Sequence, residues 1–160
     1  MKTAIIYSSK HGTTEKVAAI IADKLKESNE VELFSLNKNA NPDINAFESV
    51  IIGSPIYAGQ ASKKVKNFCV TNESLLLQKK IGLFVCGMEP TPEKREQELK
   101  DAYSEELFKN AVSTGFLGGA FIFEQMNFFE RLIIKKIAKT DKSVQKIETE
   151  AVVNFIKNLL

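Results

Sequence analysis

Apolar residues are grouped along the chain in two alternating patterns. Ala4–Tyr7, Val50–Ile52 and Ile81–Cys86 are short unbroken runs, as expected of strands buried on both faces. Gly119–Phe123 reads as a further strand of the same kind, and Val31–Phe34 as an edge strand. Between the runs the spacing becomes helical. Val17, Ile20, Ile21 and Leu25 form one face, and Val65, Phe68, Cys69, Leu75 and Leu76 a second. Leu99, Ala102, Tyr103 and Phe108 form a third, introduced by Thr91 as cap and Pro92 in the first turn. Val144, Ile147, Ala151, Val152, Phe155, Ile156 and Leu159 make a long final stripe. Leu36–Phe47 contains Asn41–Pro42 and supports at most a short helix. Alternation of this kind predicts an α/β fold, a parallel sheet with helices on both faces, in one domain over residues 1–160. One stretch, Met126–Lys142, is long enough for an extra helix that this plan does not require.

The totals narrow the class. A chain of 160 residues has the length of one domain with a substantial core. Its formal net charge of +2 gives no electrostatic ground for nucleic-acid binding. No stretch approaches the ~18 apolar residues of a spanning helix, and MKTAIIYSS is too short for a signal-peptide core. Cys69 and Cys86 have no metal-ligand spacing and are expected to be reduced thiols, half-buried, in a cytoplasmic protein.

Ligands of open α/β sheets bind beyond the carboxyl ends of the strands. Three loops follow such ends. The first, Ser8-Ser9-Lys10-His11-Gly12-Thr13-Thr14, offers hydroxyls, a cation and a flexible Gly, and no carboxylate, ahead of a helix N-terminus. That chemistry suits an anion, above all a phosphate; the plainer reading is a hydroxyl-rich turn that caps the helix. Neither GxxxxGK[ST] nor GxGxxG is present, which argues against an NTPase or a Rossmann dinucleotide site. The second loop, Ser54-Pro55-Ile56-Tyr57-Ala58-Gly59, places an aromatic ring between Pro and Gly, where it can stack on a flat ligand or pack on the surface. The third, Gly87-Met88-Glu89, says little alone. A phosphate and a ring one sugar-length apart describe FMN.

With these residues in view, the chain resembles the flavodoxin family. Ser9, Gly12 and Thr14 match the family's phosphate-loop pattern, with Lys10, His11 and Thr13 between them. Ser54–Gly59 and Gly87–Glu89 correspond to its two ring-binding loops. The resemblance implies a doubly wound five-stranded parallel sheet of order 2-1-3-4-5, with FMN as cofactor and electron transfer as function. It gives the phosphate to Ser9, Lys10, Gly12, Thr13 and Thr14, ring stacking to Tyr57, and the ring edge to backbone groups of Ala58, Gly59 and Gly87. Within the family, VIIGSPIYAG and GGAFIFEQMNFFERLIIKKIAK are similar to the branch containing menaquinone-dependent protoporphyrinogen IX dehydrogenase. That branch carries an extra helix between the last strand and the last helix. Pro55–Ala58 departs from it, since an Arg–Tyr pair is expected there.

Partners divide accordingly. A redox protein would be met by a shuttle, a quinone and a porphyrin by an enzyme. A plain shuttle is typically acidic, and this chain is slightly basic. In the extra helix, paired aromatics flank Arg131, Lys135, Lys139 and Lys142. Asn127–Lys139 reads either as a covering helix with a solvated face or as a contact with the inner face of the cell membrane. His11 reads as an anion contact, having no carboxylate nearby in sequence to orient it as a base. Cys86 reads as a buried thiol. A response-regulator receiver, a regulatory alternative, needs acids where Ser8–Ser9 and Gly53–Ser54 stand.

Overall fold

The computed structural model describes residues 1–121 and 144–160. Five parallel strands form its main sheet: β1 (Lys2–Tyr7), β2 (Glu30–Ser35), β3 (Ser49–Tyr57), β5 (Lys80–Cys86) and β6 (Ala111–Phe116). Their order is β2-β1-β3-β5-β6, the expected doubly wound arrangement. β4 (Gln60–Ala61) turns back antiparallel on the end of β3. β7 (Gly118–Phe121) and β8 (Val144–Ile147) form a separate antiparallel pair.

Alternate residues of each central strand serve opposite faces. Ala4, Ile6, Val50, Ile52, Leu83 and Val85 pack under α2 (Lys63–Leu76), α3 (Pro92–Ala102) and α4 (Glu105–Asn110). Ile5, Ile51 and Phe84 pack on the other face, under α1 (Thr13–Leu25) and α5 (Thr149–Leu159). Two cores sandwiching one sheet explain why these strands read as unbroken apolar runs.

Several local readings are corrected. The fifth sheet strand is Ala111–Phe116, whereas Gly118–Phe121 lies in the small antiparallel pair. AVSTGF carries no apolar run because β6 is a sheet edge, where Ser113 is buried by donating to the Phe155 carbonyl at 2.9 Å. The last stripe divides for a similar reason: Val144–Ile147 is strand, and only Thr149–Leu159 is helix. Leu36–Phe47 contains turns and no helix, anchored by buried Leu36, Ile44 and Phe47. The third helical face is two helices, split where Ser104 accepts the Leu107 N–H to start α4. In α1, Ile20 is exposed, and the small Ala18 and Ala22 let the helix pack close to the sheet instead. The expected extra helix lies outside the described residues.

Candidate functional site

The ends of β1, β3 and β5 converge on one cleft with about 530 Å³ of atom-free space, part of it open solvent. Its walls combine Ser9, Lys10, His11, Thr13 and Thr14 from the first loop with Pro55, Ile56, Tyr57 and Ala58 from the second. Gly87 and Met88 come from the third, and Cys86 and Gly119 complete the lining. Among the described residues the lining contains no Asp or Glu.

The first loop is built around the N-terminus of α1. Gly12 adopts φ +88°, a left-handed conformation that a side chain would strain, and the space beside it is open. Among the described residues no side chain caps the helix at Gly12. The first-turn N–H groups therefore lack the capping partner that a Ser or Thr at Gly12 would supply. The Thr13 Oγ1 atom is buried and has no hydrogen-bond partner among the described residues. An orphaned buried hydroxyl beside uncapped helix N–H groups is the donor set of an anion site. The nearby acid of the first turn, Glu15, is engaged elsewhere, accepting from the Tyr7 hydroxyl at 3.2 Å.

The hydroxyls of this loop have divided roles. Ser9 Oγ accepts the Gly12 N–H at 3.0 Å and so braces the loop. Thr14 is buried, with its hydroxyl beside the Cys86 thiol. That contact tends to lower the thiol's pKa, but burial dominates and pushes it up to about 12. Cys86 is thus a protonated wall of the cleft and not a nucleophile.

The second loop is a two-residue hairpin between β3 and β4. Ala58 at φ 49° and Gly59 at φ 75° place both central residues in the left-handed region, as in a type I′ turn. Ser54 is fully buried behind the cleft, accepting from the Ser62 N–H and donating to the Pro55 carbonyl, each at 3.0 Å. Ser54 and Gly59 are absent from the lining. Tyr57 does line it, and the Lys10 ammonium sits 4.2 Å from the centre of its ring. A cation–π contact thus joins the first loop to the second.

The third loop is fixed from outside. Glu89 faces away from the cleft, its carboxylate accepting from the Thr91 N–H at 3.0 Å and its carbonyl accepting from Arg95 Nε. Arg95 continues to Glu148 at 2.7 Å and lies over the Phe116 ring. Gly87 N–H donates to the Gly118 carbonyl at 2.8 Å. A Cβ on Gly119 would stand 2.4 Å from the Gly87 carbonyl oxygen, so the β7–β8 stem reaches the cleft only through glycine.

Sequence reading missed Asn37, Ser62 and Gly119 as parts of this assembly. Asn37 follows the edge strand β2, and only the strand order brings it beside Ser9.

A parallel α/β protein with an anion loop facing an aromatic loop at the strand ends is a nucleotide- or flavin-binding class of molecule. The chain belongs to the flavodoxin domain family, whose model matches residues 4–147. It is 33% identical over 84 residues to a flavodoxin of Clostridium saccharobutylicum, covering 51% of this chain and 52% of that protein. It is 23% identical to protoporphyrinogen IX dehydrogenase [quinone] of Escherichia coli K12, over 99% of this chain and 94% of that protein. Among solved structures, oxidised flavodoxin 1 of Bacillus cereus matches with TM-score 0.60 at 18% identity, covering 99% and 95% of the two chains. A Fusobacterium nucleatum flavodoxin bound to flavin mononucleotide matches with TM-score 0.52 at 22% identity, covering 69% of this chain and 66% of that one. These structural likenesses establish the fold.

Proposed function

We propose that this chain binds FMN in the cleft and carries electrons to and from a redox partner. The observation that carries the reading is the buried, partnerless Thr13 hydroxyl beside the uncapped start of α1, across the cleft from Tyr57. FMN, when bound, supplies the electron-transfer chemistry. The chain's own residues bind and orient. Thr13, Thr14, the first-turn N–H groups of α1, Lys10 and His11 hold the phosphate end. Tyr57 offers its ring to the flat end, with Pro55, Ile56, Ala58 and Met88 around it and the Gly87 backbone at its edge. Ser9 and Gly12 shape the loop, while Ser54, Gly59 and Glu89 support the site from behind or beside it.

The protein is expected to quench the fluorescence of added FMN stoichiometrically and to bind riboflavin more weakly. Thr13→Val should weaken FMN by at least about tenfold, the effect of losing a hydrogen bond to a charged group. A protein that quenches neither flavin refutes the reading.

A second reading, quinone-dependent oxidation of protoporphyrinogen IX, rests on two further observations. The β7–β8 stem brackets residues 122–143 and is hydrogen-bonded to the cleft at Gly87, and the likeness to the E. coli enzyme runs the whole length. In this reading the protein is cytoplasmic and Asn127–Lys139 contacts the inner face of the cell membrane. No helix among the described residues is long and apolar enough to cross a membrane. Anaerobic mixing of FMN-loaded protein with protoporphyrinogen and a menaquinone analogue should then yield porphyrin; none would leave a carrier of electrons between proteins.

A further inference from the structure

The first loop is held in shape by a residue far from it in sequence. Asn37 follows β2, whose backbone runs beside β1. Its carboxamide makes a two-bonded clamp on the Ser9 backbone. Ser9 N–H donates to Asn37 Oδ1 at 3.4 Å, and Asn37 Nδ2 donates to the Ser9 carbonyl at 3.0 Å. The Ser8 hydroxyl donates to the same Oδ1 at 3.3 Å. Ser8 in turn accepts from the Ser62 hydroxyl at 3.1 Å, and the Ser62 N–H is held by the buried Ser54. Ser62 stands at the N-cap of α2 without capping it, its hydroxyl being donated to Ser8.

The chain of contacts ends at the anion loop. Fixing the Ser9 backbone fixes its Oγ, which accepts the Gly12 N–H at 3.0 Å. Gly12, at φ +88°, sets the direction in which the first-turn N–H groups and the Thr13 hydroxyl face. Only an amide supplies this pattern at Asn37, because one end must accept and the other donate. We infer that Asn37 is the positioning residue of the phosphate loop, setting affinity for the phosphate end of the ligand without touching it. This rests on the FMN reading.

Asn37 is solvent-exposed, so its replacement leaves both cores intact. Lost positioning should weaken binding of the phosphorylated ligand selectively, whereas a general loosening of the cleft weakens every flavin alike. The test titrates wild type, Asn37→Ala and Asn37→Asp with FMN and, separately, riboflavin, following fluorescence quenching. Asn37→Ala should bind FMN about tenfold more weakly, in line with the loss of two or three partly solvated hydrogen bonds. Its riboflavin affinity should change by less than about twofold. Asn37→Asp keeps the acceptor but turns an oxygen against the Ser9 carbonyl, so it should fail to rescue and should itself favour riboflavin over FMN relative to wild type. Wild type that binds FMN, with Asn37→Ala weakening FMN and riboflavin by the same factor or neither, overturns the positioning role alone. Wild type that binds neither flavin overturns the FMN reading itself.

Discussion

Gly53→Ala should destabilise the protein by at least about 3 kcal/mol, the upper end of overpacking costs. Gly53 lies in β3, the strand between β1 and β5, with Tyr7 and Phe84 as its lateral neighbours. A Cβ placed there would stand 2.1 Å from Phe84 Cζ and within 2.6 Å of both Cε atoms. The Phe84 ring cannot easily give way, because it is fully buried and set edge-on against Phe155 at 5.8 Å. Thermal unfolding should shift downward by roughly 6–12 °C, from ~2–4 °C per kcal/mol at this size. Phe84→Leu removes the ring atoms that collide, so the double variant should lose less than the two single losses added together. A Gly53→Ala protein that melts within a degree or two of wild type would show that the ring is free to move.

The second large effect is alkaline. Burial pushes the thiols of Cys69 and Cys86 from 9.0 up to about 12, because a thiolate in either core would lose its hydration. An unfolded thiol ionises near 9 and the folded one near 12. The stabilisation is therefore fully present below pH 9 and is lost as pH rises from there toward 12. At ~1.36 kcal/mol per pKa unit, each thiol withdraws up to about 4 kcal/mol over that window. Tyr103, raised by its burial, adds to the loss above pH 10. Denaturation midpoints measured from pH 8 to 11 should fall steeply. A Cys69→Ala, Cys86→Ala variant should start lower and decline less steeply. Equal slopes in the two proteins would place the alkaline sensitivity elsewhere. At pH 8 a thiol reagent should label neither cysteine until the chain unfolds.

What could be read in the sequence depended on how local the physics was. The loop proposed to hold a phosphate could be singled out in the sequence because its donors, its glycine and its helix all lie within Ser8–Leu25. The strands β1, β3 and β5 were legible because burial on both faces leaves continuous apolar runs. β6 was not, since an edge strand can carry Ser113, Thr114 and Gly115, and the more apolar Gly119–Phe123 took its place in the reading. Val144–Ile147 was absorbed into a helix because Val144 and Ile147 happen to keep the helical spacing. The supports of the site were illegible for another reason. Asn37 and Ser62 are ordinary polar residues 28 and 54 positions from the serines they hold. Gly119 owes its place to a backbone contact with Gly87 that no periodicity encodes.

The ammonium of Lys10 over Tyr57 gives the cleft an energetic threshold. The two loops that would grip the two ends of a ligand already touch, so less loop ordering is left to be done on binding. Any ring that takes that face of the tyrosine must first displace the cation, at about 0.5–1 kcal/mol for an exposed contact. A molecule with a ring alone meets this cost with little to offset it. One that also carries an anion can give the displaced charge a new counterpart, and the latch then discriminates by asking for both parts at once.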